Sequence, residues 1–259
     1  MATEFDPSDF TKLLASEIYL LEKWDACSAE DVRDRRSRIF GEYVKLGVAG
    51  RWHYHEIARL ETYEAPSKET IEHILKSIRT KDQRALAALL EKGGRRPFLQ
   101  IDHSKISYTV LDESEEDLLL WILSDNSNND IDILLLNCRV LYNYSTWEQL
   151  LFCIPEVVDG NDGPLDPQVY QSRVDAQKAH SLHHIDIDGA ESWTWNDLRE
   201  IAHCAWHTGT LWVFDEISMQ ERGWHIIWMD EFGEIIREHR LDIWDIEASV
   251  ITLGWQTKR

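Results

Sequence analysis

Residues 179–217 concentrate the side-chain types that do chemistry. They hold five of the eleven histidines, one of the four cysteines and four of the twelve tryptophans. Periodicity predicts a helix opened by Thr194, on which Glu200, His203 and His207 share one face. That spacing is used by metal ligands on helices, so a carboxylate and two imidazoles could hold a divalent metal such as zinc. His183 and His184 are candidates for the remaining ligand. No second Glu-x-x-His element exists for a paired-metal site. The same residues suit a solvent-facing helix end, where imidazole favours the helix dipole.

A second constellation is acidic. Residues 182–188 read as a strand, and alternation would put Asp186 and Asp188 on one side. Asp215 follows the next expected strand, over 210–215. Ligands of open α/β sheets bind outside the carboxyl ends of parallel strands, so these three acids could hold a divalent cation against a phosphate. Asp186-Ile-Asp188-Gly189 resembles the nucleophile motif of haloacid-dehalogenase-type phosphatases, but Ala190 stands where that family uses Thr or Val. The motif also arrives late, with too little chain after it. An acidic sheet edge in the acidic half is the plainer explanation of these residues. A third candidate is Cys138 at a strand end, as a nucleophile with His183 or His184 as base; a small buried apolar residue is its plainer role. His203 and Cys204 are neighbours on a helix and point apart. No GxSxG and no phosphate-cradling glycine loop is present.

These residues need elements to position them. Helical spacing is clear over 7–24 and 29–45, where arginines 33, 35, 36 and 38 alternate with acids. Trp52-His53-Tyr54-His55-Glu56 lacks the HExxH order of a zinc helix. Pro66 and Ser67 open a further helix. Thr80 with Gln83 forms a capping box for another that ends at Gly93-Gly94. The period then changes to strands at 98–101, 106–110 and 131–138. Ser145 with Glu148 caps a helix that Pro155 stops, and 159–168 is loop by composition. Residues 224–230 and 234–240 form a hairpin around Glu231-Phe232-Gly233. The expected architecture is α/β: a mixed, mostly parallel sheet with an antiparallel hairpin over 95–259, preceded by a small helical unit over 1–94.

Charge divides the chain in the same way. Of its 27 basic and 47 acidic residues, 18 of each fall within residues 1–110. The whole net charge of −20 therefore lies beyond residue 110. Such a surface repels phosphate backbones, excluding direct nucleic-acid binding there, and attracts basic proteins. Eight of the twelve tryptophans fall within the last 67 residues, and their large rings suit both cores and recognition surfaces. Scattered cysteines without CxxC pairing, no signal-peptide pattern and no apolar run near ~20 residues predict a soluble cytoplasmic protein that is not in a membrane.

From about Leu134 onward the order of signals resembles an uncharacterised domain family found in bacteria and fungi. The matching pieces are Leu134-Leu135-Leu136, Ser145-Thr146-Trp147, Gly189 with Thr194 to Leu198, His207-Thr208, Leu211 to Asp215 and Ile243 to Glu247. Asn137-Cys138 replaces that family's usual Thr-Asp. The resemblance implies a compact α/β domain and carries no activity.

Three expectations follow. The first is an acidic interaction or regulatory module that binds a basic partner. The second is a metal-dependent enzyme, such as a hydrolase, built on Asp186, Asp188, Asp215, His203 and His207. The third is a small-molecule binding protein with tryptophan lining its pocket. No catalytic motif decides between enzyme and binding protein.

Overall fold

A computed structural model describes residues 12–64, 66–93, 96–100, 133–137, 147–188, 206–215, 217–218 and 223–242. Helix and strand are mixed. The first half supplies α1 (Ala15–Lys23), α2 (Val32–Val44), α3 (Gly47–Leu60), α4 (Lys68–Ile78) and α5 (Lys81–Glu91). Their starts follow capping chemistry. Asp31 accepts from the Arg33 N–H at 2.8 Å to open α2. Ser67 accepts from Thr70 at α4. At α5 the Thr80 hydroxyl accepts from the Gln83 N–H at 3.1 Å, and the Gln83 side chain accepts from the Thr80 N–H at 3.0 Å.

The strands are β1 (Arg96–Gln100), β2 (Ile133–Asn137), β3 (Gly209–Phe214), β4 (Gly223–Met229) and β5 (Ile235–Asp242). Their order across the sheet is β2-β1-β3-β4-β5. Pairing is parallel between β1 and β2 and between β1 and β3, and antiparallel from β3 through β5. Among the described strands two pairings are parallel and two antiparallel, so the expected mostly parallel sheet appears only as a mixed one. The β4–β5 hairpin lies where the sequence places it, because Asp230 closes the turn by accepting from Phe232 and Glu234 at 2.9 Å each.

Residues 182–188 correct the sequence reading. They do not form a strand; they are the last turns of α7 (Pro167–Asp188). Pro167 sits at the first helical position, and the Asp166 carboxylate caps the Gln168 N–H at 2.7 Å. No glycine or proline interrupts the chain from Gln168 to Asp188, so extending the helix costs less than starting a strand. The alternation in Leu-His-His-Ile-Asp-Ile-Asp imitates a strand only when read without what precedes it. His183, His184, Asp186 and Asp188 therefore lie on a helix, where residues two apart are separated by about 200° around the axis.

A smaller correction concerns Pro155. The helix before it, α6 (Glu148–Leu151), is one turn long, and Pro155 opens a 3-10 helix that runs to Asp162. The first part of the expected loop is therefore helical. This 3-10 helix lies against the start of β3, where a Cβ on Gly209 would approach the carbonyl oxygens of Val157 and Val158 to 2.8 Å.

Among the described residues the core has a small apolar cluster of Val48, Tyr170 and Val174 and two large ones. One joins Tyr19, Leu20, Ile39, Phe40, Tyr43, Leu75 and Ile78 between the first four helices. The other draws Leu14, Ala87, Ala88 and Leu90 from the helices together with Leu150, Ile154, Val157, Leu211, Val213, Ile227 and Met229 from later elements. Its residues come from both sides of the Gly93-Gly94 stretch. No helix among the described residues is long and apolar enough to cross a membrane.

Candidate ligand-binding cleft

Charged side chains occupy apolar-stripe positions on three of the helices. On α1 the stripe Leu14, Ile18, Leu21 includes Glu17, which is fully buried. On α5 the positions Arg84, Ala87, Ala88 and Glu91 follow the same spacing. On α3, Arg51 and His55 are four apart and both buried. Burying such groups costs several kcal/mol apiece unless each is paired, so their partners shape the molecule.

Two neutral knots result. In one, the Arg84 guanidinium donates to both Glu17 oxygens at 2.8 and 3.1 Å. Arg79 donates to both Glu156 oxygens at 3.1 Å and lies over the Phe40 ring. The Ser16 hydroxyl completes it by donating to Glu156. Burial pushes the Glu156 carboxyl upward against the pull of Arg79. In the other, Arg51 donates to Asp159 through Nε at 3.0 Å and Nη2 at 2.8 Å, and through Nη1 to the Val44 carbonyl at 2.9 Å. His55 meets Glu91 through Nδ1 at 3.1 Å, and its Nε2 stands 3.5 Å from Asp159 and 3.3 Å from the Tyr43 hydroxyl.

Burial alone would lower the His55 pKa. Hydrogen bonds and charge from Asp159 and Glu91 outweigh it and hold the pKa up at about 9. Burial acts against the Asp159 carboxylate, yet Arg51 and His55 keep its pKa below the usual range. His55 is thus an imidazolium at neutral pH with both ring nitrogens directed at acceptors. In that state it can neither take up a proton as a base nor ligate a metal.

The second knot forms part of the wall of an open cleft of about 660 Å³ between α1, α3, α4 and α5. Helical spacing explains how α3 serves both. Arg51 and His55 face inward, while Trp52, Glu56 and Arg59 fall on the neighbouring face that borders the cleft. Ile18, Ile71 and Ala88 give it an apolar floor, and Trp52 and Tyr63 supply rings. Lys12, Arg59, Lys68 and Lys92 carry positive charge around it, with Glu56 and Glu61 as the acids besides Glu91. A volume of this size with few polar groups on apolar walls suits a small molecule.

Of the residues expected to do chemistry, the described Asp215 and His207 do not line this cleft. Asp215, after β3, accepts from Arg240 at 2.7 and 3.1 Å and from the Ser218 N–H at 2.8 Å. Burial would raise its pKa, but those donors lower it to about 2. Both oxygens of this carboxylate are engaged in a structural clamp. His207 is half-buried; its Nε2 is 3.3 Å from the Thr210 hydroxyl, and its carbonyl accepts from Arg173 at 2.7 Å. Cys138, Glu200 and His203 lie outside the described residues, as do the side chains of His183, His184, Asp186 and Asp188. Among the described residues no group of three or more His, Cys, Asp or Glu side chains could hold a metal ion.

The sequence reading set His55 aside with its neighbours for lacking the HExxH order, and passed over Arg51, Glu91 and Asp159. The available signal was a charged residue in an apolar stripe, visible at Glu17 and at Arg84. It does not reveal the partner, because Asp159 is 108 positions from Arg51.

No family model, no curated protein and no solved structure matches the chain.

Proposed function

We propose that this chain is a binding protein that takes a small molecule in the cleft between α1, α3, α4 and α5. The observation that carries this reading is the cleft itself, about 660 Å³ with an apolar floor and Trp52 and Tyr63 at its sides. The His55 imidazolium beside it favours binding over proton transfer, since its nitrogens are committed to Glu91 and Asp159. The test is a ligand-observed NMR screen of small amphipathic compounds against the native chain and Ala58→Trp, which fills the cleft. Hits that vanish with Ala58→Trp while folding is retained support the reading. Hits that persist undiminished, or a screen without hits, sink it.

A second reading is favoured by charge segregation, with all of the net −20 beyond residue 110. In this reading the acidic part is an interaction or regulatory module that captures a basic protein in the cytoplasm. We take residues 95–259 in that case as an α/β domain whose part from about Leu134 onward resembles the bacterial and fungal family. Partners recovered in a pull-down should weaken as salt rises from about 0.05 to 0.5 M. Neutral, salt-insensitive partners would count against it. What counts against the metal-enzyme alternative is that both oxygens of Asp215 are engaged by Arg240.

A further inference from the structure

Resting on the cleft reading, we infer that the cleft takes an uncharged, largely apolar molecule whose hydroxyl donates to Glu91 Oε2. The two oxygens of this carboxylate are used differently. Oε1 accepts from the His55 ring at 3.1 Å and from the Ala15 N–H at 3.2 Å. Oε2 accepts from no described group and is open to solvent, on a residue that lines the cleft. The side chain is only 17% exposed, so that opening is narrow. Two donors on Oε1 restrain the carboxylate and leave its second oxygen as a placed acceptor.

Helical spacing gives this acceptor apolar neighbours. Ala88 stands three positions before Glu91 on α5, and Trp52 and Ala58 stand three positions either side of its partner His55 on α3. All three line the cleft. An apolar body lying against them displaces the water that answers Oε2, and leaving that oxygen without a donor is costly. A hydrocarbon or an ether supplies none, and a carboxylate would set acceptor against acceptor. An ammonium group could donate, but the knot behind Glu91 is neutral, with Arg51 and His55 matched by Asp159 and Glu91. No net charge there offsets the desolvation of a buried cation. A hydroxyl answers Oε2 and brings no charge with it.

Isothermal titration of the full chain near neutral pH with para-phenylphenol, its methyl ether, para-phenylbenzoate and para-phenylbenzylammonium tests this. The four share a two-ring apolar body and differ in the polar group. The phenol should bind tightest, about tenfold tighter than its ether, because only the phenol donates to a charged acceptor. Glu91→Gln should erase the difference between phenol and ether. Its amide oxygen stays on His55 and the Ala15 N–H, which places an NH2 group where Oε2 was. A circular dichroism spectrum checks that this variant folds, and the comparison in the native chain decides without it. The ether, the benzoate or the ammonium compound binding as tightly as the phenol, with Ala58→Trp abolishing all of it, would overturn the hydroxyl while leaving the cleft reading intact. A preference for the phenol that persists in folded Glu91→Gln would do the same. Binding of none of the four, or binding that survives Ala58→Trp, would overturn both.

Discussion

Two nitrogens of Arg51 converge on a single oxygen of Asp159, at 2.8 and 3.0 Å, while the other oxygen of Asp159 faces His55 at 3.5 Å. One carboxylate is thus divided between two cations on the same face of α3. Both members of the pair are almost wholly buried, with side-chain exposures of 1% and 6%. Deleting either leaves the other charged and unanswered by water. Arg51→Ala is expected to cost about 3–5 kcal/mol of stability in urea denaturation. Arg51→Met combined with Asp159→Leu should cost clearly less, because no orphaned charge remains between them. Equal losses in the two variants would mean that the pair contributes through shape alone.

His55 makes stability depend on pH. Its pKa rises from 6.5 in the unfolded chain to about 9 when folded. A raised pKa means that the folded state holds the proton more tightly. The stabilisation is therefore complete below about pH 6.5 and is lost as pH rises through about 9, amounting to about 3 kcal/mol in all. Urea midpoints at about pH 6 and pH 9.5 should differ accordingly in the native chain, and His55→Gln should flatten the difference. A native chain with the same midpoint at both values would rule out the imidazolium.

Gly47 lies at the start of α3 with φ of +69°. A Cβ there would stand 2.7 Å from Glu231 Oε2 and 2.9 Å from the Phe232 ring. The same Glu231 oxygen accepts from the Val48 N–H at 2.8 Å, so the β4–β5 turn is seated on the start of this helix. Gly47→Ala combines a left-handed backbone with a crowded contact and should cost about 1–3 kcal/mol, measured as a lower thermal midpoint. An unchanged midpoint would show that the turn is not seated there in solution.

Asp215 offers a test that separates clamp from catalyst. Its folded pKa of about 2 lies below the ordinary 3.8, so its stabilisation is present above pH 3.8 and fades as pH falls towards 2. Asp215→Asn should cost about 1 kcal/mol, since the pair with Arg240 is only partly shielded from water. If bound divalent metal in the purified chain disappeared with this substitution, the clamp would be the wrong description.

Local rules located most of the elements. Thr80 with Gln83, Asp31, and the hairpin around Glu231-Phe232-Gly233 each act through neighbours within a few residues, and such chemistry can be read without a partner. Residues 182–188 misled because alternation over seven positions competes with a helix begun some fifteen positions earlier. The cleft was illegible for a different reason. Its walls come from α1, α3, α4, α5 and Pro164, and the ionic knot in its wall joins α3 and α5 to the 3-10 helix. No spacing rule spans such distances. The buried charges sit in stripes that otherwise read as ordinary core.

The two knots also impose an order on synthesis. Arg51 and Arg79 leave the ribosome long before Asp159 and Glu156, the carboxylates that neutralise them. Until that later segment arrives, the emerging helices cannot close around their guanidiniums without a heavy desolvation cost. The final packing of the helical half must therefore wait for the 3-10 helix, and a nascent chain paused near residue 120 would remain open, with its arginines in water.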